Sequence, residues 1–325
     1  MERNCHLELS DLQTYVRNVF GTGYLVMDIV RMYGGAQKVI YKLDCTNGFS
    51  CVLYVWDLTM NFFQEEIENH DADHRSFGSD LFAMNNRFFT EQGIRTPALY
   101  DLNQERTKYP FEYALVEYIE GHKAEAYLHA SDKQVRDKLL HQIGDTLVGM
   151  HGNVRQRYGK VDGRKEATRE NCHLLQRNDA ENQLLYASQY IDPFKTHYSQ
   201  LLDTLHMLAS CIVPRSRYGF IHGELGPDHI LVNEQLEPYL IDIEGAEFYD
   251  IELEHSFLEL RFGDDYRYLK NDTLDPNRMI FYRYYHHIAL TVGGLKLLHR
   301  GFPDQQFARD LAAYHSRCAL RYLIK

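Results

Sequence analysis

The chain has 325 residues, 44% hydrophobic and 25% charged, a balance that excludes a mainly disordered chain and suffices for two sub-domains around sizeable cores. Its 21 Gly and 8 Pro are too few for a collagenous or low-complexity protein, and no repeat points to a solenoid. Acids outnumber Lys plus Arg by 46 to 35, a formal charge of −11, which argues against nucleic-acid binding and suits a cationic partner. No apolar run reaches the ~18 residues of a spanning helix, and no basic stretch leads into an apolar one at the N-terminus. A cytoplasmic protein without membrane association is expected. The six cysteines form no Cys-x-x-Cys pair and read as buried small hydrophobes. His286 and His287 are adjacent in a helical pattern, point different ways and do not make a joint metal site.

In chain order, Ser10 to Phe20 places Leu12, Val16, Val19 and Phe20 on one face and predicts a short amphipathic helix. After Gly34-Gly35 the period shifts toward two, through Val39 to Leu43, a Cys45-Thr46-Asn47-Gly48 turn, and Phe49 to Trp56, predicting a glycine-led β-hairpin. A polar stretch from Glu65 to Ser79 precedes a helix from about Asp80 to Gln92, which ends in Gly93-Ile94-Arg95-Thr96-Pro97. A strand-like run from Tyr113 to Ile119 is closed by Glu120-Gly121.

The remainder reads as helical around one central loop. Ser131 is positioned to cap a helix with Gln134 at the capping-box position, and Val135, Leu139, Ile143 and Leu147 recur along it up to His151. A further helix is expected from about Pro193 to Leu208. Short strands surround a loop between Tyr218 and Ile243, and two long helices begin at Asp275-Pro276 and Pro303-Asp304. The outline is an α+β, bilobal chain: a small β-rich N-lobe over residues 1–120 and a larger α-helical C-lobe over 121–325.

Chemistry concentrates in Phe220-Ile-His222-Gly-Glu224 through Asp228-His229 to Asn233, followed by Leu240-Ile-Asp242-Ile-Glu244. Glu224, His229 and Asp242 bring two carboxylates and an imidazole onto loops anchored by Ile230, Val232, Leu240 and Ile243. Such groups can hold a hard divalent cation and place a base beside it; a structural hairpin with polar ends is the alternative reading.

His222-Gly-Glu224-x4-His229 with Asp242 resembles the catalytic and metal loops of the aminoglycoside phosphotransferase family, relatives of the protein kinases. Gly34-Gly35 stands at that family's glycine-led nucleotide loop, and Gly93 to Pro97 at the end of its third helix. Ala114 to Gly121 is similar to its adenine-binding linker, and Leu147 to His151 to the end of its first large-lobe helix. The similarity spans roughly residues 31–263 in the family's order. It implies a protein-kinase-like fold and transfer of the γ-phosphate of ATP or GTP to a hydroxyl of a small-molecule acceptor, antibiotic-like or metabolite. It also implies Mg²⁺ held by Asp242 and His229, Glu224 as the base, Gly34 and Gly35 at the phosphates, and main-chain groups of Glu117 and Ile119 at the nucleobase. A monomer or homodimer is expected.

The residues depart from the family at three places. Glu224 replaces the usual catalytic Asp, displacing the carboxylate by one methylene. His229 replaces the metal-binding Asn, as in the macrolide phosphotransferases this segment also resembles. Tyr54 stands where the phosphate-binding lysine belongs, and the position of that lysine's partner glutamate falls near Ala83. Arg87, on the same helix face, is the first candidate for the substitute cation, with Lys38 and Lys42 as alternatives. A catalytically weak relative that binds nucleotide or ligand is the alternative function. Acids from Glu247 to Asp265, if not simply a solvated surface, are candidates to line a site for a cationic acceptor.

Overall fold

The Asn-Gly turn at residues 47 and 48 is read directly by the backbone: both adopt positive φ (69° and 74°), and Cys45 N–H closes the turn onto Phe49 O at 2.8 Å. In the computed structural model, which describes residues 5–32, 37–69, 76–129, 132–163 and 171–324, this hairpin is the middle of a five-stranded antiparallel sheet. The spatial order is Val26–Met32, Val39–Cys45, Ser50–Trp56, Glu112–Glu117, Leu99–Asn103. Val26–Met32 lies outside the predicted hairpin because Asp28 and Arg31 interrupt its apolar pattern; it forms as an edge strand on the ladder offered by Val39–Cys45. Gly34, Gly35 and Ser131 lie outside the described residues.

Ser50–Trp56 is buried along nearly its whole length because the sheet is covered on both faces. On one face Tyr41, Leu43, Leu53, Val55 and Leu115 join Leu12 and Val16 of the Leu9–Phe20 helix in a continuous core. On the other, the rings of Tyr54 and Trp56 pack on Phe82 of the Ser79–Glu91 helix.

A smaller antiparallel sheet, ordered Pro238–Leu240, Ile230–Asn233, Gly121–Lys123, belongs to the same compact unit. Gly121 is required there: its φ is 155° and a Cβ would lie 1.8 Å from Val232 O. In place of one boundary at Gly121, the first unit comprises Met1–Val135 and Asp228–Gly245, and the second Arg136–Pro227 and Ala246–Lys325. The hairpin carrying His229 and Asp242 therefore packs with the β-rich unit.

The second unit is mainly helical. It holds most of Lys133–His151, then Cys172–Ser188, Tyr198–Ser210, Ile251–Phe262, Pro276–His299 and Gln305–Leu320. The Asp132 carboxylate accepts from Gln134 N–H and Val135 N–H (2.9 and 3.3 Å) at the start of the first of these. The single helix predicted from Pro193 is two, Asp192–Thr196 and Tyr198–Ser210, interrupted at His197. Cys172–Ser188 was not predicted because Arg177, Asn178, Asp179 and Glu181 break any clean apolar stripe. Pro276 and Asp304 start the last two helices as expected, with Asp275 and Asp304 accepting from first-turn amides. Those helices approach so closely at Gly294 that a Cβ would meet Ala308 O and Ala312 N at 2.7 Å.

Two sequence expectations change here. Cys211 is exposed, unlike Cys45, Cys51, Cys172 and Cys318. The acids Asp250, Glu252 and Glu254 are buried, Asp250 in an ion pair with Arg278, Glu252 in one with Arg215 and Glu254 in a hydrogen bond with His151, so they neither line an acceptor surface nor face solvent.

The second unit also buries histidines. His287 and His315 share an Nδ1 to Nδ1 hydrogen bond of 2.9 Å, and His286 Nε2 bonds Leu253 O. Burial lowers their pKa values to about 3 for His287 and about 4 for His286 and His315, helped for His287 by the neighbouring His315 and for His315 by Arg261. His255 is pushed down to about 3 by burial and by His151. Because the folded values lie below the ordinary 6.5, the unfolded chain takes up more protons. Stability is then full above pH 6.5 and declines as pH falls through the folded values. A loss on the order of 1 kcal/mol per histidine per pH unit is expected just below that point. Urea midpoints at pH 7.5 and 5.0 check this, and equal midpoints contradict it.

Candidate active site

Cross-strand register decides which side chains meet Asp242. Ile40 pairs Tyr54 and Lys42 pairs Val52, so Lys38, Ile40 and Lys42 share the sheet face that carries Tyr54 and Trp56. Lys38 stands just before the Val39–Cys45 strand and runs its stem past Tyr54, with Nζ 5.0 Å from the ring centroid. Its ammonium donates to Asp242 Oδ1 at 2.5 Å and to Glu244 Oε1 at 2.6 Å. The Lys38 and Glu244 side chains are 5% and 7% exposed, whereas that of Asp242 is 40% exposed. The cluster is thus sealed at one end and open at the carboxylate end.

The surroundings hold it firmly. Trp56 Nε1 donates to Glu244 Oε1 at 3.2 Å, and Asn85 Nδ2 donates to Ile243 O at 2.7 Å and Glu244 O at 3.3 Å. Asp242 itself adopts φ 59°, a left-handed conformation uncommon outside glycine and characteristic of functional turns. Burial alone would depress the Lys38 pKa, but the carboxylates of Asp242 and Glu244 outweigh it and hold the ammonium above the ordinary lysine value. Burial raises the Tyr54 hydroxyl above its ordinary value, so it remains neutral.

His229 ends the Pro227–His229 turn, and its carbonyl accepts from Ile241 N–H at 3.0 Å, fastening the two loop segments together. Its Nε2 is 3.6 Å from Asp242 Oδ2 and 3.8 Å from Asp228 Oδ2. His229 and Asp242 are therefore brought together as the sequence suggests. Among the described residues no group of three or more His, Cys, Asp and Glu is preassembled for a metal, so these two offer a pair of donors and no closed cage.

Of the candidate cations, Lys38 and not Arg87 is the one that meets Asp242 and Glu244. Arg87 is exposed on the Ser79–Glu91 helix, where the helix presents Asn85 to residues 243 and 244 instead. Lys42 points to Tyr118, 4.5 Å from its ring centroid, and pairs with Asp44 at 2.9 Å. Glu244 was legible only as a neighbour of Asp242; here it holds the lysine, and Trp56 and Asn85 were not singled out at all. The missing signal was register, since nothing local in Lys38 marks it as facing Asp242.

The linker is built as an edge. Glu117 N–H donates to Ala98 O at 2.9 Å and its carboxylate accepts from Ala98 N–H at 3.0 Å, so toward a nucleobase Glu117 can offer its carbonyl but not its N–H. Glu117 to Glu120 line a polar cleft of 240 Å³ with Asn233, Glu234, Gln235 and Tyr239.

In the second unit, by itself, Glu224 is an exposed side chain on a loop fastened from behind. The fully buried Glu254 accepts from His222 N–H at 2.9 Å and Gly223 N–H at 3.1 Å, and its other oxygen meets His151 Nε2 at 2.6 Å. Burial would raise the Glu254 pKa, but His151, His222 and the Gly223 amide outweigh it and hold it below the ordinary carboxylate value. Tyr285, within electrostatic reach of Glu224, donates its hydroxyl to Asp179 at 2.9 Å.

Residues 80–254 match the phosphotransferase enzyme family, APH. No curated protein matches the chain by sequence. In structure it is similar to aminoglycoside phosphotransferase APH(4)-Ia, with a TM-score of 0.65 at 15% identity over 97% of this chain and 98% of that one. A thermostable mutant of that enzyme in ternary complex with AMP-PNP and hygromycin B is similar at 14% identity, TM-score 0.65, over 96% and 98% of the two chains. Choline kinase LicA from Streptococcus pneumoniae is similar at 14% identity, TM-score 0.61, over 97% and 98%. Among the described residues no helix is long and apolar enough to cross a membrane. With more than half its length matched by that family and a protein-kinase-like α+β fold, the chain belongs to the phosphotransferase enzyme family.

Proposed function

We propose that the protein transfers the γ-phosphate of ATP or GTP to a hydroxyl group of a small-molecule acceptor. The observation that carries this is the Lys38–Asp242–Glu244 cluster: one cation against two carboxylates leaves a net negative charge whose open end is Asp242. That end, with His229 Nε2 beside it, fits a Mg²⁺ arriving with a nucleotide, since this ion is commonly held by one or two protein ligands plus phosphates and water. Asp242 and His229 would hold it, and when bound it neutralises charge building on the transferring phosphoryl group.

The remaining roles belong to the chain. The Asp242 backbone, fixed in its strained turn, keeps the carboxylate in place without further reorganisation. The Glu117 carbonyl and the main chain of Ile119 receive the nucleobase, and Gly34 and Gly35 the phosphates. Glu224 accepts the acceptor hydroxyl's proton and aims its oxygen. Its loop is held by Glu254, so that aim survives despite the extra methylene. A cationic acceptor is preferred, in keeping with the net charge of −11, with Asp179 joined to Tyr285 near Glu224, and with neighbours named for an aminoglycoside and for choline.

Thermal unfolding with ATP or GTP plus magnesium tests the binding half. A nucleotide at a hundred times its dissociation constant is expected to add about 2.7 kcal/mol. Unchanged melting with both nucleotides contradicts the proposal.

A further inference from the structure

Resting on the phosphotransfer reading above, we infer that Lys38, delivered from the strand before the hairpin turn, is the residue that binds the nucleotide's phosphates, with Glu244 as its positioning residue. The sheet position from which a lysine would otherwise reach that spot holds Tyr54, which is neutral and packed between Trp56 and Phe82. Lys38 and Tyr54 converge, however. Their strands are neighbours, the two side chains share one face, and the ammonium lies 5.0 Å from the Tyr54 ring centroid. A cation is therefore supplied to the same place from the adjacent strand.

The rest of the cluster is organised around that substitution. The Ser79–Glu91 helix contributes no carboxylate to the lysine. It presents Asn85, whose amide fixes the carbonyls of Ile243 and Glu244, and the Glu244 carboxylate takes both Lys38 Nζ and Trp56 Nε1. Glu244 is buried and Asp242 is open, so Glu244 serves as the permanent anchor of the ammonium, while Asp242 is the partner that it shares with ligands. An ammonium anchored by a buried carboxylate beside an exposed one matches a triphosphate oxygen in charge, and Lys binds phosphate as a point charge without needing a planar fork.

The test measures binding of the triphosphate and of the bare nucleoside, without acceptor, to wild type and two variants. Lys38→Met combined with Glu244→Gln removes the cation without stranding a buried carboxylate. Lys38→Met combined with Tyr54→Lys keeps Glu244 and returns a lysine to the same spot from the next strand. The first variant is expected to bind triphosphate about ten- to a hundredfold more weakly, the loss of one charge-assisted contact, while its nucleoside affinity is unchanged. The second is expected to recover most of the triphosphate affinity. Wild-type triphosphate affinity in the first variant, or no recovery in a folded second variant, overturns the assignment of Lys38. Absence of triphosphate binding by the wild type instead overturns the phosphotransfer reading itself.

Discussion

Replacing Asp242 by Asn is expected to reduce phosphoryl transfer by about a thousandfold or more while leaving the protein folded. Two features separate those outcomes. Asn is among the few residues that tolerate left-handed backbone, so the φ of 59° at this position is retained. Lys38 keeps Glu244 as a partner at 2.6 Å, so no buried charge is stranded. What disappears is the exposed carboxylate of the cluster, the group proposed to hold the Mg²⁺ that arrives with the nucleotide. Turnover and the urea midpoint, measured on the same preparation, check both halves. Activity within tenfold of wild type would mean that Asp242 has no part in the chemistry.

The second large effect is structural and falls in the other unit. Replacing Glu254 by Ala removes a fully buried carboxylate that accepts from His222 N–H, Gly223 N–H and His151. All three donors lose their acceptor in a desolvated place, and a loss of about 3–5 kcal/mol in stability is expected. Glu254→Gln retains a carbonyl oxygen for the two amides and is expected to lose less. Where Glu254→Ala remains folded, the loop carrying Glu224 loses its anchor, and transfer is expected to fall about a hundredfold through misplacement of the base. A Glu254→Ala midpoint equal to wild type contradicts this account of the loop. The depressed Glu254 pKa adds a pH signature. Its contribution is present above the ordinary carboxylate value of 4.5 and is lost as pH falls through the lower folded value.

Much of this was legible from residue patterns because the physics involved is local. The Asn47-Gly48 turn, the Asp275-Pro276 helix start and the apolar face of Leu9–Phe20 each follow from a few adjacent side chains. The spacing of His229 and Asp242 also carried through, because the apolar strands flanking them leave only one short hairpin and so bring the two together. Lys38 did not stand out because its role is set by pairing between strands: Ile40 opposite Tyr54 puts the lysine on the right face, and neither residue announces that by itself. Arg87 looked better by helical spacing, yet that helix turns Asn85 inward and leaves Arg87 exposed. The acids from Asp250 to Glu254 looked like surface or an acceptor lining; their partners Arg278, Arg215 and His151 lie 28 or more residues away in sequence and draw them inside. Cys172–Ser188 escaped because long-range packing, not periodicity, makes it a helix.

The most direct measurement is transfer of label from γ-labelled ATP or GTP, with magnesium, to a panel of antibiotic and metabolite alcohols, run in parallel with wild type and Asp242→Asn. The expected result is label on an acceptor hydroxyl with the wild type and at most a trace with the variant. Equal labelling by both proteins, or no labelling of any acceptor by a wild type whose melting temperature neither nucleotide shifts, would contradict phosphoryl transfer through Asp242.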